Sequence, residues 1–237
     1  MRILLLNANT TEAITGTLVA MAQSMAPPGT RFVGATGRFG ARYIASRAAS
    51  AIAAHAALDA YAAHGAGCDA VLLACFGDPG LDALREVAPV PVVGLADASA
   101  EAACRIGRRF GVVTGGAAWG PMLTEFFAGR GLAARLAGVR TVAPSGGDIA
   151  RDPEGAVALL AEACRASVEV DGADVVVLGG AGLAGLAPKL EGRVPAPVLC
   201  SVATGIRAVM DAARVPPPAR AGMETVGLSP ELAALLA

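Results

Sequence analysis

Apolar residues in this chain gather in short runs. Val-, Leu- and Ile-rich segments recur at about 2–6, 31–35, 70–74, 91–95, 110–113, 139–143, 174–178 and 197–200, and each reads as a strand. Several are apolar at every position, Val71-Leu72-Leu73-Ala74 and Val175-Val176-Val177-Leu178 most plainly. A strand without a polar face suits a parallel sheet covered by helices on both sides. Alanine-rich stretches separate the runs. The clearest is Ser46–His64, with apolar Ala48, Ile52, Leu58 and Tyr61 at helical spacing and Gly65 as its stop. Asp78-Pro79 predicts a second helix over 79–87, with Asp78 as N-cap and Pro79 at its first position. Strands that alternate with helices imply βαβ units and an α/β fold.

The order of elements repeats. At an offset of 105, residues 69–89 share seven of 21 identities with the later segment: Asp69, Val71, Leu73, Gly77, Gly80, Leu81 and Glu86. Each copy runs on into a second strand, Pro91–Leu95 and Pro197–Ser201. Upstream, Leu4-Leu5-Leu6-Asn7 lies over Gly111-Val112-Val113-Thr114 at a similar offset. Duplication predicts two similar lobes with a cleft between them. Ligands of parallel sheets bind beyond the carboxyl ends of the strands. That singles out Asn7–Asn9, Cys75–Asp78, Thr114–Gly116 and Gly180–Gly182.

Composition narrows the class. Hydrophobic residues make up 54% and charged ones 16%, which excludes a disordered chain. Lys+Arg 19 against Asp+Glu 20 leaves a net charge of -1, so neither nucleic acid nor an anionic membrane is an expected partner. Mean hydropathy is +0.56, yet no apolar run approaches the roughly 20 residues of a membrane span. The run after Met1 ends at Asn7, too early for a signal peptide, and a cytoplasmic protein is expected. Five cysteines (68, 75, 104, 164, 200), none in a CxxC pair, indicate neither a disulfide framework nor a zinc site. His55 and His64 are nine apart on one helix, the wrong spacing for a ligand pair, and no metal is expected. There is no P-loop, no dinucleotide fingerprint and no nucleophile-elbow serine.

Candidate chemistry centres on Cys75, at the end of a buried strand in the turn Cys75-Phe76-Gly77-Asp78-Pro79-Gly80. A thiol ahead of a helix N-terminus meets free N–H groups and the positive dipole end, which predicts a depressed pKa. Cys68, Cys104 and Cys164 read as small buried hydrophobes. Cys200 ends a strand and is a weaker candidate. The amides of Asn7-Ala8-Asn9-Thr10 suit a carboxylate or imide, or cap the next helix. Thr114-Gly115-Gly116 and Gly180-Ala181-Gly182 are small-residue turns whose N–H groups can form an anion nest. Trp119 either walls a pocket or packs. Arg38, Arg42 and Arg47 face an anion or, as is usual for such arginines, solvent.

Asn7-Ala8-Asn9-Thr10, Cys75-Phe76-Gly77-Asp78-Pro79-Gly80-Leu81, Pro91-Val92-Val93-Gly94 and Val177-Leu178-Gly179-Gly180-Ala181-Gly182 together resemble the hydantoin racemase branch of the aspartate/glutamate racemase superfamily. The resemblance spans nearly the whole chain. It implies two similar parallel-sheet α/β lobes related by a pseudo-twofold with the active site in the cleft between them, a first lobe of residues 1–96 with 207–237, a second of residues 97–206, and cofactor-independent chemistry at a carbon next to a carbonyl or carboxylate. In such racemases two cysteines flank the substrate, one removing and one delivering the α-proton. Here the first is Cys75, but the position of the second holds Gly180, directly beneath Cys75 in the internal repeat. Arylmalonate decarboxylases, also similar, work with a single cysteine in the opposite lobe. The expectation is a racemase or isomerase acting on a small hydantoin, amino acid or related carboxylate. Cys75 would be its proton donor or acceptor, with Asn9, Phe76, Gly77, Thr114, Gly180, Ala181 and Gly182 around the substrate. A stereospecific decarboxylase and a non-catalytic binding relative are the alternatives, and a homo-oligomer is expected.

Overall fold

The computed structural model describes residues 1–143, 145–213, 223 and 225–236. Eight strands form two four-stranded sheets. The first holds β1 (Arg2–Asn7), β2 (Arg31–Thr36), β3 (Ala70–Leu73) and β4 (Val92–Gly94) in the order β2-β1-β3-β4. The second holds β5 (Phe110–Gly115), β6 (Leu136–Val142), β7 (Val175–Leu178) and β8 (Val198–Cys200) in the order β6-β5-β7-β8. Every neighbouring pair is parallel. Burial follows position in the sheet. Central β3, β5 and β7 are buried at every residue, whereas edge strand β2 is fully buried only at Phe32 and Ala35. Strand β6 begins three residues before its Val-rich part, because Leu136-Ala137-Gly138 pairs with β5 despite weak strand propensity.

The helices are α1 (Glu12–Met25), α2 (Arg47–His64), α3 (Leu81–Val87), α4 (Leu95–Ile106), α5 (Trp119–Gly129), α6 (Gly146–Arg151), α7 (Pro153–Glu169), α8 (Ser201–Ala212) and α9 (Pro230–Leu236). The chain divides into two compact units, Met1–Gly94 with Gly205–Ala237, and Leu95–Thr204. In the first, α1 packs on β1 and β2, α2 packs on β1, β2 and α3, and α9 packs on α2. In the second, α4 and α7 pack on β5 and β7.

The two sheets repeat each other in register as well as order. Leu6 pairs with Leu73 in the first and Val113 with Leu178 in the second. Beyond the ladder, Ala74 N donates to Leu6 O at 2.8 Å and Gly179 N to Val113 O at 2.9 Å. At the opposite end, Asp69 accepts from Arg2 N at 2.6 Å, and Asp174 accepts from Arg109 N at 2.9 Å. The Arg2 guanidinium reaches Ala66 O, and the Arg109 guanidinium reaches Asp171 O. Each carboxylate ties the start of one strand to the start of its neighbour, so Asp69 and Asp174 recur for a structural reason. By this correspondence Asn7 matches Thr114, Cys75 matches Gly180, and Leu95 matches Ser201.

Two local expectations are corrected. Helix α3 does not begin at Pro79. Gly80, at φ +81°, is its N-cap, and Asp78, at φ +47°, makes no helical start. Gly80 turns left-handed because α2 presses on it: a Cβ there would lie 3.0 Å from Ala54 Cα. On α2, Ser46 does cap the helix, accepting from Ala49 N at 3.1 Å, and Tyr61 is buried as expected, but the rest of the apolar inward face is Ala53, Ala56, Ala57 and Ala60. Ile52 is 49% exposed.

Candidate active site

In the first unit the carboxyl ends of β1 and β3 lie side by side, which brings Asn9 and Cys75–Gly77 to one end of the sheet. Cys75 is buried, with 8% of its surface exposed. Its thiol is pushed up to about 12, chiefly because burial strips the thiolate of water and secondly because the Asp78 carboxylate repels the negative charge. The depressed pKa expected from a helix N-terminus is therefore overturned. The helix begins only at Leu81, and it is seven residues long. At neutral pH Cys75 is a thiol. Around it the chain turns sharply, with Gly77 at φ +100° and Asp78 and Gly80 also left-handed. The N–H groups of Phe76 and Gly77 donate to no described residue and remain open to an acceptor. The Asp78 carboxylate rests on Gly94, in the space any Cβ there would occupy. Asp78 is only 4% exposed, and its electrostatic part was not legible from its sequence reading as a cap.

The asparagines divide their work. Asn7, fully buried, donates through Nδ2 to Asn9 Oδ1 (3.0 Å) and Thr15 Oγ1 (3.0 Å), and its Oδ1 accepts from Asn9 N (3.3 Å). It braces the loop and has nothing left for a ligand. Asn9 Oδ1 also accepts from Thr11 N at 2.9 Å. With two donors on that oxygen, the amide is oriented, and Nδ2 remains without an acceptor among the described residues.

In the second unit Thr114, at the end of β5, and Gly180, beyond β7, are neighbours. A Cβ on Gly180 would lie 3.7 Å from Thr114 Oγ1 and 3.4 Å from Leu183 Cδ1. Space for a side chain exists, but Gly180 sits at φ +128°, so any other residue would carry strain of roughly 1–3 kcal/mol. The Gly180 N–H is taken by Ser201 Oγ at 3.1 Å, which removes it from the expected anion nest. Those of Ala181 and Gly182 donate to no described residue. Gly182 is a glycine because the Gly146 carbonyl fills its Cβ position. Ser201 was not singled out in the sequence, although its place immediately after β8 follows the same strand-end rule that marked the others.

The remaining candidates settle into structural places. Cys164 is fully buried in the core of the second unit and is also raised to about 12 by burial. Burial raises Cys68 too. Cys200 packs, half-buried, against the same apolar core as Cys164. Trp119 is buried at the start of α5. His55 is exposed and meets the Phe39 ring edge-on. Arg38 grips buried Asp59 through two hydrogen bonds of 2.7 and 2.6 Å, so it is spent on structure. An open groove along α1 and β2 is lined by Thr10, Thr15, Thr36 and Arg38 among others, and includes neither Cys75 nor any residue expected around the substrate. No helix among the described residues is long and apolar enough to cross a membrane.

A paired α/β repeat with strand-end turns of this kind defines a racemase-type scaffold. Residues 3–209 match the family described as Asp/Glu/Hydantoin racemase, and the chain belongs to that family. It is 34% identical over 208 residues to a hydantoin racemase of Pseudomonas sp. (strain NS671), covering 87% of this chain and 84% of that one. Its fold matches the allantoin racemase of Pseudomonas fluorescens with a TM-score of 0.86 and 33% identity, over 90% of this chain and 91% of that one. The allantoin racemase of Klebsiella pneumoniae gives the same TM-score at 30% identity, covering 99% and 98%. The protein is accordingly an enzyme of the isomerase class, of the racemase kind.

Proposed function

We propose that this enzyme acts without a cofactor on a small hydantoin, amino acid or related acid, at the carbon α to its carbonyl, and that Cys75 delivers the proton to that carbon. The observation that carries this reading is the state of Cys75: a buried thiol pushed up to about 12, in a turn whose Phe76 and Gly77 N–H groups are uncommitted. Protonating a carbanionic carbon needs an acid that is protonated at working pH, and burial and Asp78 supply one. The adjoining N–H groups and Asn9 Nδ2 are donors suited to the oxygen on which negative charge develops. In proton exchange a Cys75 that has lost its proton to water takes the Cα proton, forming S–H as the Cα–H bond breaks, and then returns a solvent-derived proton to that carbon; in protonation alone the S–H bond breaks as Cα takes the proton, and the thiolate left is reprotonated from water.

Gly180 supports a second, mechanistic reading. Racemisation needs an acid and a base on opposite faces of a planar intermediate, and the counterpart of Cys75 has no side chain. Loss of carbon dioxide from a malonate-type acid generates the enolate without a base, so that one thiol suffices. Proton delivery is then to a single face. Proton NMR in deuterium oxide separates these readings. A 5-substituted hydantoin or amino acid that gains deuterium at Cα marks proton exchange. A 2-substituted malonate that loses carbon dioxide and gains deuterium on one face marks the decarboxylase. Cys75→Ser is expected to retain the fold and abolish either reaction, because a serine hydroxyl is a much weaker acid. Undiminished deuterium incorporation in that variant would overturn the role of Cys75.

A further inference from the structure

Behind Asn9 lies a chain of polar side chains that reaches from β2 to the end of β1. Asn7 and Thr36 are partners in the β1–β2 ladder, so their side chains share one face of the sheet. Helix α1 covers that face and lays Thr15 between them. Thr15 comes this close because Gly34 has no side chain: a Cβ there would lie 2.7 Å from Thr15 Cγ2. Asn7 is fully buried, and Thr15 is 7% exposed.

The backbone of Thr11 settles which way both amides face. Its carbonyl can only accept, so the Asn7 atom 3.3 Å from it is Nδ2. Its N–H can only donate, so the Asn9 atom 2.9 Å from it is Oδ1. Asn7 Nδ2 then has two hydrogens for three acceptors: Asn9 Oδ1 and Thr15 Oγ1, both at 3.0 Å, and the more distant Thr11 O. Thr15 Oγ1 accepts one of them, and its own hydrogen goes to Thr36 Oγ1 at 2.7 Å. Every donor from Thr15 to Asn9 therefore has one direction. The last bond holds Asn9 by its Oδ1, and that sets where Asn9 Nδ2 donates.

We propose that Thr15, acting through Asn7, is a positioning residue that aims the Asn9 amide. Among the described residues its hydroxyl bonds only to Asn7 and Thr36. By taking one hydrogen of Asn7 Nδ2, it keeps that amide from turning toward Thr11 O and leaves the other hydrogen on Asn9 Oδ1. A cluster that served stability alone would act the same whether or not Asn9 were present. A positioning residue loses its effect on rate once Asn9 is removed.

This inference rests on reading Asn9 as a donor to the substrate, and its test separates the two. The rate is followed by proton NMR in deuterium oxide, with whichever of a 5-alkylhydantoin and a 2-alkylmalonate the natural chain turns over. Thr15→Val keeps the shape and removes the hydroxyl. It is expected to lower kcat about fivefold, the size of one hydrogen bond, and to leave KM within about twofold, because the donor acts on charge that develops during reaction. Thr15→Ser is expected to recover most of that loss. In an Asn9→Ala background, Thr15→Val is expected to lower kcat no further. An unchanged kcat in Thr15→Val, or the same fall repeated in the Asn9→Ala background, overturns the proposal. The side-chain amide resonance of Asn9, identified by its loss in Asn9→Ala, gives a second readout. It is expected to shift in Thr15→Val and return in Thr15→Ser, and a resonance that stays fixed overturns the proposal. Should Thr15→Val fail to fold, Thr36→Val takes its place, with a smaller shift of the same resonance expected. If Asn9→Ala reacts as fast as the natural chain, or neither probe is turned over, the role of Asn9 or the reaction itself fails, and the amide resonance alone decides the positioning.

Discussion

Cys75 and Asp78 share one turn, and the sign of their coupling sets what the thiol can do. Burial raises Cys75 most, and the neighbouring carboxylate adds to it. The proton-donating form is therefore present at neutral pH and is lost only as pH rises toward the raised value. Asp78→Asn removes the repulsion and leaves the burial. Its thiolate should appear at lower pH than in the natural chain while staying above the ordinary thiol range. Alkylation of Cys75 by iodoacetamide, followed from pH 7 to 11 and corrected with Cys75→Ser, reads this directly. In the natural chain Cys75 should react more slowly at neutral pH than half-buried Cys104. An alkylation profile identical in Asp78→Asn would mean that this carboxylate does not act on the thiol. The sequence marked Cys75 and expected the wrong electrostatics for it. The turn chemistry was visible, but the left-handed Gly80 that delays α3 depends on contact with Ala54, twenty-six positions earlier and on another helix.

Among the elements, α7 and β5 meet more closely than either local sequence announces. Gly111 lies against Ser167, whose Oγ occupies the space of a Cβ on Gly111, and Ala173 Cβ would be 3.1 Å away. Ser167 Oγ is buried and has no hydrogen-bond partner. Gly111→Ala should therefore cost about 1–3 kcal/mol through overpacking. Ser167→Ala removes an unsatisfied hydroxyl and should be neutral or stabilising by up to about 1 kcal/mol. In the double variant the alanines relieve part of the clash, and urea denaturation of all four proteins should show positive coupling. Strict additivity would show that the two residues do not share the contact. The same logic explains Gly65, which does end α2 but sits at an ordinary φ of -75°. It is a glycine because the Tyr61 ring fills the place of its Cβ.

At the scale of the molecule, the buried ionisable groups bound a pH window. Asp59 is held below the usual carboxylate range, first by its hydrogen bond from Arg38 and also by one from Ser229 at 3.0 Å, and this knot ties α2 to the segment that leads into α9. A depressed carboxylate stabilises the fold above its unfolded pKa, and that contribution is lost as pH falls toward its folded value. Cys75 and Cys164 act in the opposite sense. Each is raised from 9.0 to about 12, so the stability tied to their neutral form is present below pH about 9 and declines as pH rises toward about 12. Urea melts from pH 3 to 11 should show a plateau with two flanks. Asp59→Asn should flatten the acid flank, and Cys164→Ala the alkaline one. An alkaline flank unchanged in Cys164→Ala would assign the loss to other groups.

The strands and the α/β class were legible in the sequence: the central strands because a strand buried on both faces must be apolar throughout, and the less buried β2, β6 and β8 because they too carry short Val- or Leu-containing runs between alanine-rich helices. The repeat was legible too, since Asp69 and Asp174 perform one local task twice and their spacing from the strands is preserved. So was the pairing of Cys75 with Gly180, which the matching registers of the two sheets reproduce. What stayed hidden depends on contacts made by groups far apart in the chain. Apart from buried Tyr61, the inward face of α2 was misread because alanine is nearly silent in a hydrophobic pattern, and close approach, not hydrophobicity, chose Ala53, Ala56, Ala57 and Ala60 over Ile52. The protonation state of Cys75 follows from burial, which no run of neighbouring residues displays. The capture of the Gly180 N–H by Ser201, twenty-one residues on, follows from the parallel pairing of β7 with β8. Sequence determined the scaffold and the residue type at each strand end. Tertiary packing decided which polar groups there are spent on the fold and which remain open to a substrate, because desolvation and hydrogen-bond satisfaction are properties of surroundings assembled only on folding.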